Sequence, residues 1–146
     1  MESSSKEDIV PPSLSREDEM QRDMDLIREL LLQIEKNPQF DGTCQIQPET
    51  PADLGIMDHS CEEVAYNLNQ LVAAGFVNGT RTMQMPIISQ LTWSGHDFID
   101  LIRDQDVWNK TKKGALAARG FTVDLLFDLA KGFIKKQMEE KTGIKL

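Results

Sequence analysis

SCEEVAYNLNQLVAAGFVNGTRTMQMPIISQLTWSG, residues 60–95, is the stretch that decides the fold. Its first half has a helical period. Val64, Leu68, Leu71 and Val72 recur at three- and four-residue spacings and share one stripe. Ser60-Cys61-Glu62-Glu63 is a capping box, in which the serine oxygen takes an orphan amide three residues on and the glutamate reaches back. Gly75 is the expected stop, since glycine enters the left-handed conformation that ends a helix without steric cost. The period then changes from 3.6 to 2. Phe76-Val77 opens a strand running to about Met83. On the return, Ile87, Ser89, Leu91 and Trp93 alternate with Ile88, Gln90 and Thr92, which sends Trp93 inward with Leu91. Met83–Pro86 is the expected loop, and Asn78-Gly79 is a competing turn signal. Ser94 to Arg103 returns to helical spacing, with Phe98, Leu101 and Ile102 inward.

Upstream, Met20, Met24, Ile27, Leu30, Leu31 and Ile34 define an amphipathic helix over residues 20–36. Asn37-Pro38 ends it, because the residue before proline avoids helical angles. Residues 44–47 read as a short strand. Pro51 to Gly55 reads as one helical turn capped by Thr50. Residues 1–18 are rich in serine, charge and proline, with little to bury, and are expected to be a disordered tail. Downstream, residues 106–113 suggest a turn or two around Val107 and Trp108, and residues 114–120 suit a helix or a linker. Thr122 caps a last helix over Val123–Glu140, striped by Val123, Leu126, Phe127, Ala130, Phe133, Ile134 and Met138.

The expected fold is mainly α with a small β-hairpin (α+β). The order helix, short strand, turn, capped helix, hairpin, helix is that of a winged helix-turn-helix, here with an extra C-terminal helix. The expected organisation is a tail at 1–18, a winged-helix domain at 19–104, and a helical extension at 105–146 packed on that domain or on a dimer mate. Residues 63–77 look like the second helix of the motif running into its first wing strand. Leu91-Thr92-Trp93-Ser94-Gly95 resembles the LTxxG junction of MarR- and PadR-type regulators. Residues 21–28, 91–100 and 102–104, with Val107-Trp108, are similar to an uncharacterised bacterial and phage family of unknown function. That similarity runs from Met20 to the C-terminus, although members often carry His-Leu where this chain has Asn67-Leu68. It implies a fold and no activity. The likeness to MarR-type proteins implies a homodimer formed through terminal helices.

The chain has 146 residues, 40% apolar and 27% charged, as an ordinary globular protein does. Its net charge is −8, unevenly spread. Residues 37–80 hold six acidic groups and no Lys or Arg, while residues 104–146 hold nine basic and six acidic groups. No apolar run is long enough to span a bilayer, and the N-terminal segment lacks a signal-peptide core, so a cytoplasmic location without membrane contact is expected.

The outer face of the 60–74 helix, with the hairpin, offers Tyr66, Asn69, Gln70 and Arg81 as a macromolecule-contact surface. Asn and Gln can pair with adenine edges. The basic groups that normally carry DNA affinity are missing there, and Glu62 and Glu63 serve as helix caps. A protein partner or a second copy of the chain is therefore favoured over DNA. Lys110, Lys112, Lys113, Arg119, Lys131, Lys135 and Lys136 suit a solvated face better than a backbone-binding one. Phe127, Phe133 and Ile134 must cover either the chain's own core or a dimer mate. Cys44, His59, Cys61 and His96 follow no zinc pattern, with Cys61 expected on the buried face and the histidines partly exposed. Asp97, Asp100 and Asp104 share a polar face. Trp108 is expected to anchor the C-terminal segment. No metal, cofactor or catalytic centre is expected. The expected function is non-catalytic: a regulatory or adaptor protein acting by protein contact, with a sequence-specific DNA-binding regulator as the alternative.

Overall fold

The computed structural model describes residues 22–117 and 122–143. The tail at 1–18, Met20, Arg119 and the Val123 side chain lie outside the described residues. Helix α1 spans Met24–Lys36, capped by the Asp23 carboxylate, which accepts the Leu26 N–H. Leu26, Ile27, Leu30, Leu31 and Ile34 are buried along its inner face. A 3-10 turn at Pro51–Leu54 follows, its start closed by Asp53, whose carboxylate accepts the Glu49 and Thr50 N–H groups. Helix α2, Cys61–Ala73, carries the reciprocal Ser60–Glu63 cap that its sequence announces.

Strands β1 (Val77–Thr80) and β2 (Ile87–Leu91) form an antiparallel hairpin with Val77 opposite Leu91. The register slips between Asn78 and Gly79. Ser89 of β2 is therefore the extra residue of a bulge opposite Asn78-Gly79, and that pair continues the strand instead of turning it. A Cβ on Gly79 would sit 2.2 Å from the Ile87 carbonyl oxygen, so only glycine allows that approach. On the other side of β2, Ile46 exchanges two backbone hydrogen bonds with Ile88, each 2.8 Å. The short strand expected at 44–47 is thus a single bridge. β1 ends at Thr80 rather than near Met83, because residues 82–85 fold into a compact loop on their own side chains.

The junction after β2 explains both the LTxxG pattern and an overturned expectation. Thr92 caps helix α3 (Trp93–Ile102) by accepting the Gly95 N–H, and its hydroxyl donates to the Gly75 carbonyl. A Cβ on Gly95 would fall 2.1 Å from the Phe76 carbonyl oxygen, so helix and hairpin can meet this closely only at a glycine. The helix starts at Trp93, which takes that residue out of the strand alternation. Trp93 is 84% exposed instead of pointing inward with Leu91.

Helix α4 runs unbroken over Gln105–Ala117, where the sequence suggests only a turn or two followed by a helix or linker. Asp104 caps it by accepting the Val107 N–H. Arg28 reaches from α1 to the preceding carbonyls, donating to Ile102 O (2.7 Å) and Arg103 O (2.6 Å), which satisfies acceptors the end of α3 leaves open. Gly114 lies where α4 meets helix α5 (Val123–Thr142), and a Cβ there would press within 3.1 Å of Leu129. Its small size serves close helix packing, not a break. Trp108 is buried as expected, and its indole N–H donates to Asp25 at 2.7 Å. One apolar core runs from Met24 to Ala130 through helices α1 to α5 and the hairpin. The fold is mostly helical with a small antiparallel sheet, an α+β arrangement.

Two stripe assignments change. Cys61 is exposed, because it stands in the first turn of α2, where side chains tilt back past the edge of the core. Met138 is 47% exposed, because α5 outruns the body it packs on and its last fully buried residue is Ala130.

Candidate functional site

An open groove of about 1060 Å³ lies between the outer face of α2, the segment Gln47–Glu49 and the hairpin loop 81–85. Tyr66, Asn69, Gln70 and Arg81 all line it. Side-chain hydrogen bonds build its hairpin wall. The Thr82 hydroxyl donates to Met85 O (2.8 Å) and accepts the Gln84 N–H (3.0 Å). Gln47 Nε2 crosses from the opposite wall to the same Met85 carbonyl at 2.8 Å. Asn69 then fastens the loop to α2. Its Nδ2 donates to Gln84 O (2.7 Å) and Ala65 O (2.9 Å), and its Oδ1 accepts the Thr82 N–H (3.2 Å).

Asn69 is therefore in the groove but already engaged. A side-chain amide has two donor hydrogens, and here both are committed. Tyr66, Gln70 and Arg81 have no side-chain hydrogen-bond or ion-pair partner among the described residues and remain available to a ligand.

The charge of the groove is acidic, from Glu49, Glu62 and Glu63 against Arg81. Glu63 is tied down. Its carboxylate accepts the Ser60 N–H at 3.0 Å and lies 3.7 Å from His59 Nδ1. The Ser60 amide, helped by His59, holds this carboxyl below the usual carboxylate range. Glu49 and Glu62 are exposed, and their carboxylates have no partner among the described residues. Met83 stands fully exposed on the rim, while Met85 is buried beneath it.

Behind the groove sits a residue the sequence reading missed. Asn67 is 1% exposed; its Oδ1 accepts the Asp23 N–H (2.8 Å) and its Nδ2 donates to Glu63 O (2.9 Å). It joins α2 to the start of α1 from inside. The signal was its spacing, three residues after Val64 and four before Leu71, which puts it on the apolar stripe despite its polarity.

The other candidates are dispersed. Phe127, Phe133 and Ile134 are half-buried against the chain's own core, with the Phe127 ring 5.4 Å from that of Phe98. Helix α5 rests on α4 and α3. Lys112 pairs with Asp25 at 2.8 Å and lies over the Trp108 ring, away from the groove. Asp100 pairs with Arg103, which also forks onto Glu35. Asp104 is a helix cap. Cys44 and Cys61 are free and exposed, His59 faces Glu63, and His96 faces Glu35. Among the described residues, no three His, Cys, Asp or Glu side chains are grouped to hold a metal ion. Among the same residues, no helix is long and apolar enough to cross a membrane.

Fold and groove together define a small α+β protein with an acidic cleft between a helix and a hairpin. The chain belongs to the family described as "Hypothetical protein (DUF2513)", which matches residues 21–122, from just before α1 to the cap of α5. It is 31% identical over 116 residues to an "Uncharacterized protein" of Haemophilus influenzae (strain ATCC 51907 / DSM 11121 / KW20 / Rd), a match covering 77% of this chain and 90% of that protein. No solved structure matches the chain. The membership agrees with the resemblance carried by residues 21–28, 91–100 and 102–104 with Val107-Trp108, although the match ends at residue 122 and not at the C-terminus.

Proposed function

We propose that this is a cytoplasmic winged-helix protein without a catalytic role, a regulatory or adaptor module whose protein partner sits in the groove between α2 and the hairpin. Several features support the winged-helix reading. The elements run α1, the Ile46 bridge, the 3-10 turn, α2, β1, β2, and Ile46 and β1 flank β2 on opposite sides. The two exposed free thiols suit a reducing compartment.

One observation carries the choice of partner: the groove presents Glu49 and Glu62, two carboxylates unpaired among the described residues, against the guanidinium of Arg81. DNA affinity rests largely on neutralised phosphates, and a groove of this sign repels them. The engagement of Asn69 also takes away one base-reading amide.

A second reading, sequence-specific DNA binding, is favoured by the free state of Tyr66, Gln70 and Arg81. Titration of labelled mixed-sequence duplex by fluorescence anisotropy, from low to high salt, separates the two. Absence of binding at low salt is expected. Micromolar binding that weakens steeply with salt, with a slope flattened by Arg81→Ala, would establish the DNA reading instead.

A further inference from the structure

We infer that the groove takes a cationic, extended peptide segment of another protein, an inference that rests on the protein-contact reading above and gives it a chemistry. The size of the cleft points to a chain segment. At about 1060 Å³ it matches the top of the range of ligand-site volumes, roughly 300–1,000 Å³, and it is an open concavity lined by three chain segments, Gln47–Glu49, Ser60–Gln70 and Arg81–Met85. Its charge points to cations. Glu49 and Glu62 both line it, exposed and unpaired among the described residues, with the Glu49 carbonyl 3.8 Å from Cys61 Sγ at the start of α2, and Glu63 adds a third carboxylate. Between Asn37 and Thr80 no basic residue offsets them.

The remaining lining suits the stems and backbone of such a segment. Met83 offers a flexible thioether on the rim for the apolar stems of Lys or Arg side chains. The Tyr66 ring can lie against a guanidinium. Arg81 and Gln70 are left to hydrogen-bond backbone carbonyls of the segment. Arg81 repels a cation at the hairpin end, so it also places the positive side chains toward Glu49 and Glu62.

A second copy of the chain does not fit this description. Its clustered lysines, Lys110, Lys112 and Lys113 on α4 and Lys131, Lys135 and Lys136 on α5, stand on helices, so a second copy would offer these cations on a helix face and not on an extended segment.

The test is a titration of the full chain with a fluorescein-labelled peptide of repeated Gly-Arg-Leu units, read by anisotropy. A Gly-Glu-Leu peptide and mixed-sequence duplex DNA are titrated in parallel. Two double variants carry equal charge changes: Glu49→Lys with Glu62→Lys in the groove, and Asp97→Lys with Asp106→Lys on exposed positions of α3 and α4 outside it. The expected result is binding of the cationic peptide that falls more than about tenfold in the groove variant and less than about threefold in the control. Equal losses in both variants would assign the attraction to overall charge and overturn the inference. So would the absence of peptide binding. Arg81-dependent binding of the Gly-Glu-Leu peptide would overturn the cationic chemistry while leaving a peptide-binding groove. Arg81-dependent binding of the duplex would overturn the protein-contact reading itself.

Discussion

Replacing Asn69 with alanine separates a residue that builds the groove from one that reads a partner. The side chain makes two bonds across to the hairpin loop, to Gln84 O at 2.7 Å and from Thr82 N–H at 3.2 Å, besides one back along its own helix to Ala65 O. A net hydrogen bond contributes about 0.5–1.5 kcal/mol. Gln84 is exposed and regains water when the bond is lost, whereas the Thr82 amide is only partly open to solvent. The sum for the two loop bonds is therefore about 1–2 kcal/mol. In a chain of this size that lowers Tm by roughly 3–8 °C. Thermal and urea unfolding followed by circular dichroism measure the loss. Amide exchange locates it, since the Thr82 N–H loses the Asn69 acceptor and should exchange faster while the α1 amides keep their protection. Asn69→Asp sharpens the assignment: it keeps an acceptor for Thr82 but sets a carboxylate against the Gln84 carbonyl, so it should destabilise at least as much. An unchanged Tm with unchanged Thr82 exchange in the alanine variant would refute the structural role and return Asn69 to the contact surface.

Gly95→Ala places a Cβ 2.1 Å from the Phe76 carbonyl oxygen and should cost about 1–3 kcal/mol despite alanine's better helix propensity. A urea midpoint equal to or above that of the parent would show that the hairpin–helix junction has room to spare. Glu35 takes a bidentate bond from Arg103, which holds its carboxyl below the usual range. The stabilisation is thus complete above the ordinary carboxylate range and is lost as pH falls through the lowered value. At neutral pH Glu35→Gln should lower stability by at most about 1 kcal/mol, the pair being solvent-screened, and the gap should close in acid. A gap that widened in acid would contradict the sign. Trp93→Phe should leave Tm unchanged while removing a red-shifted, readily quenched fluorescence component, leaving the blue-shifted emission of buried Trp108. Loss of the quench-resistant component instead would exchange the two environments.

Most of the architecture was legible because it rests on local chemistry. The Ser60 cap, the Asn37-Pro38 stop, the Thr122 cap and the apolar stripes of α1 and α2 are each written within a few residues. The misreadings share another cause: the deciding partner is far along the chain. Trp93 belongs to a strand pattern until Thr92 bonds to Gly75, seventeen positions back. Gly114 looks like a linker residue until Leu129 is set against it. Asn67 looks like a polar interruption of a stripe until the Asp23 amide, forty-four positions away, gives it a reason to be buried. The candidate surface divides in the same way. Tyr66, Gln70 and Arg81 have no partner among the described residues, whereas Asn69 is claimed by a loop whose folding no local spacing predicts.

The groove and the helix cap draw on one set of carboxylates, and this bears on what the surface can bind. Glu62 and Glu63 both sit in the first turn of α2, where negative charge favours the positive end of the helix dipole. Only Glu63 closes the capping box, and the Ser60 amide engages its charge. The capping box therefore accounts for Glu63, the dipole gives Glu62 a smaller use, and neither asks anything of Glu49. Glu49 and Glu62 both line the cleft, exposed and without a partner among the described residues, so their like charges add to one negative field there. A cation in the cleft is attracted by that field and a phosphate is repelled, so the sign of the ligand follows from carboxylates that the capping box leaves unengaged.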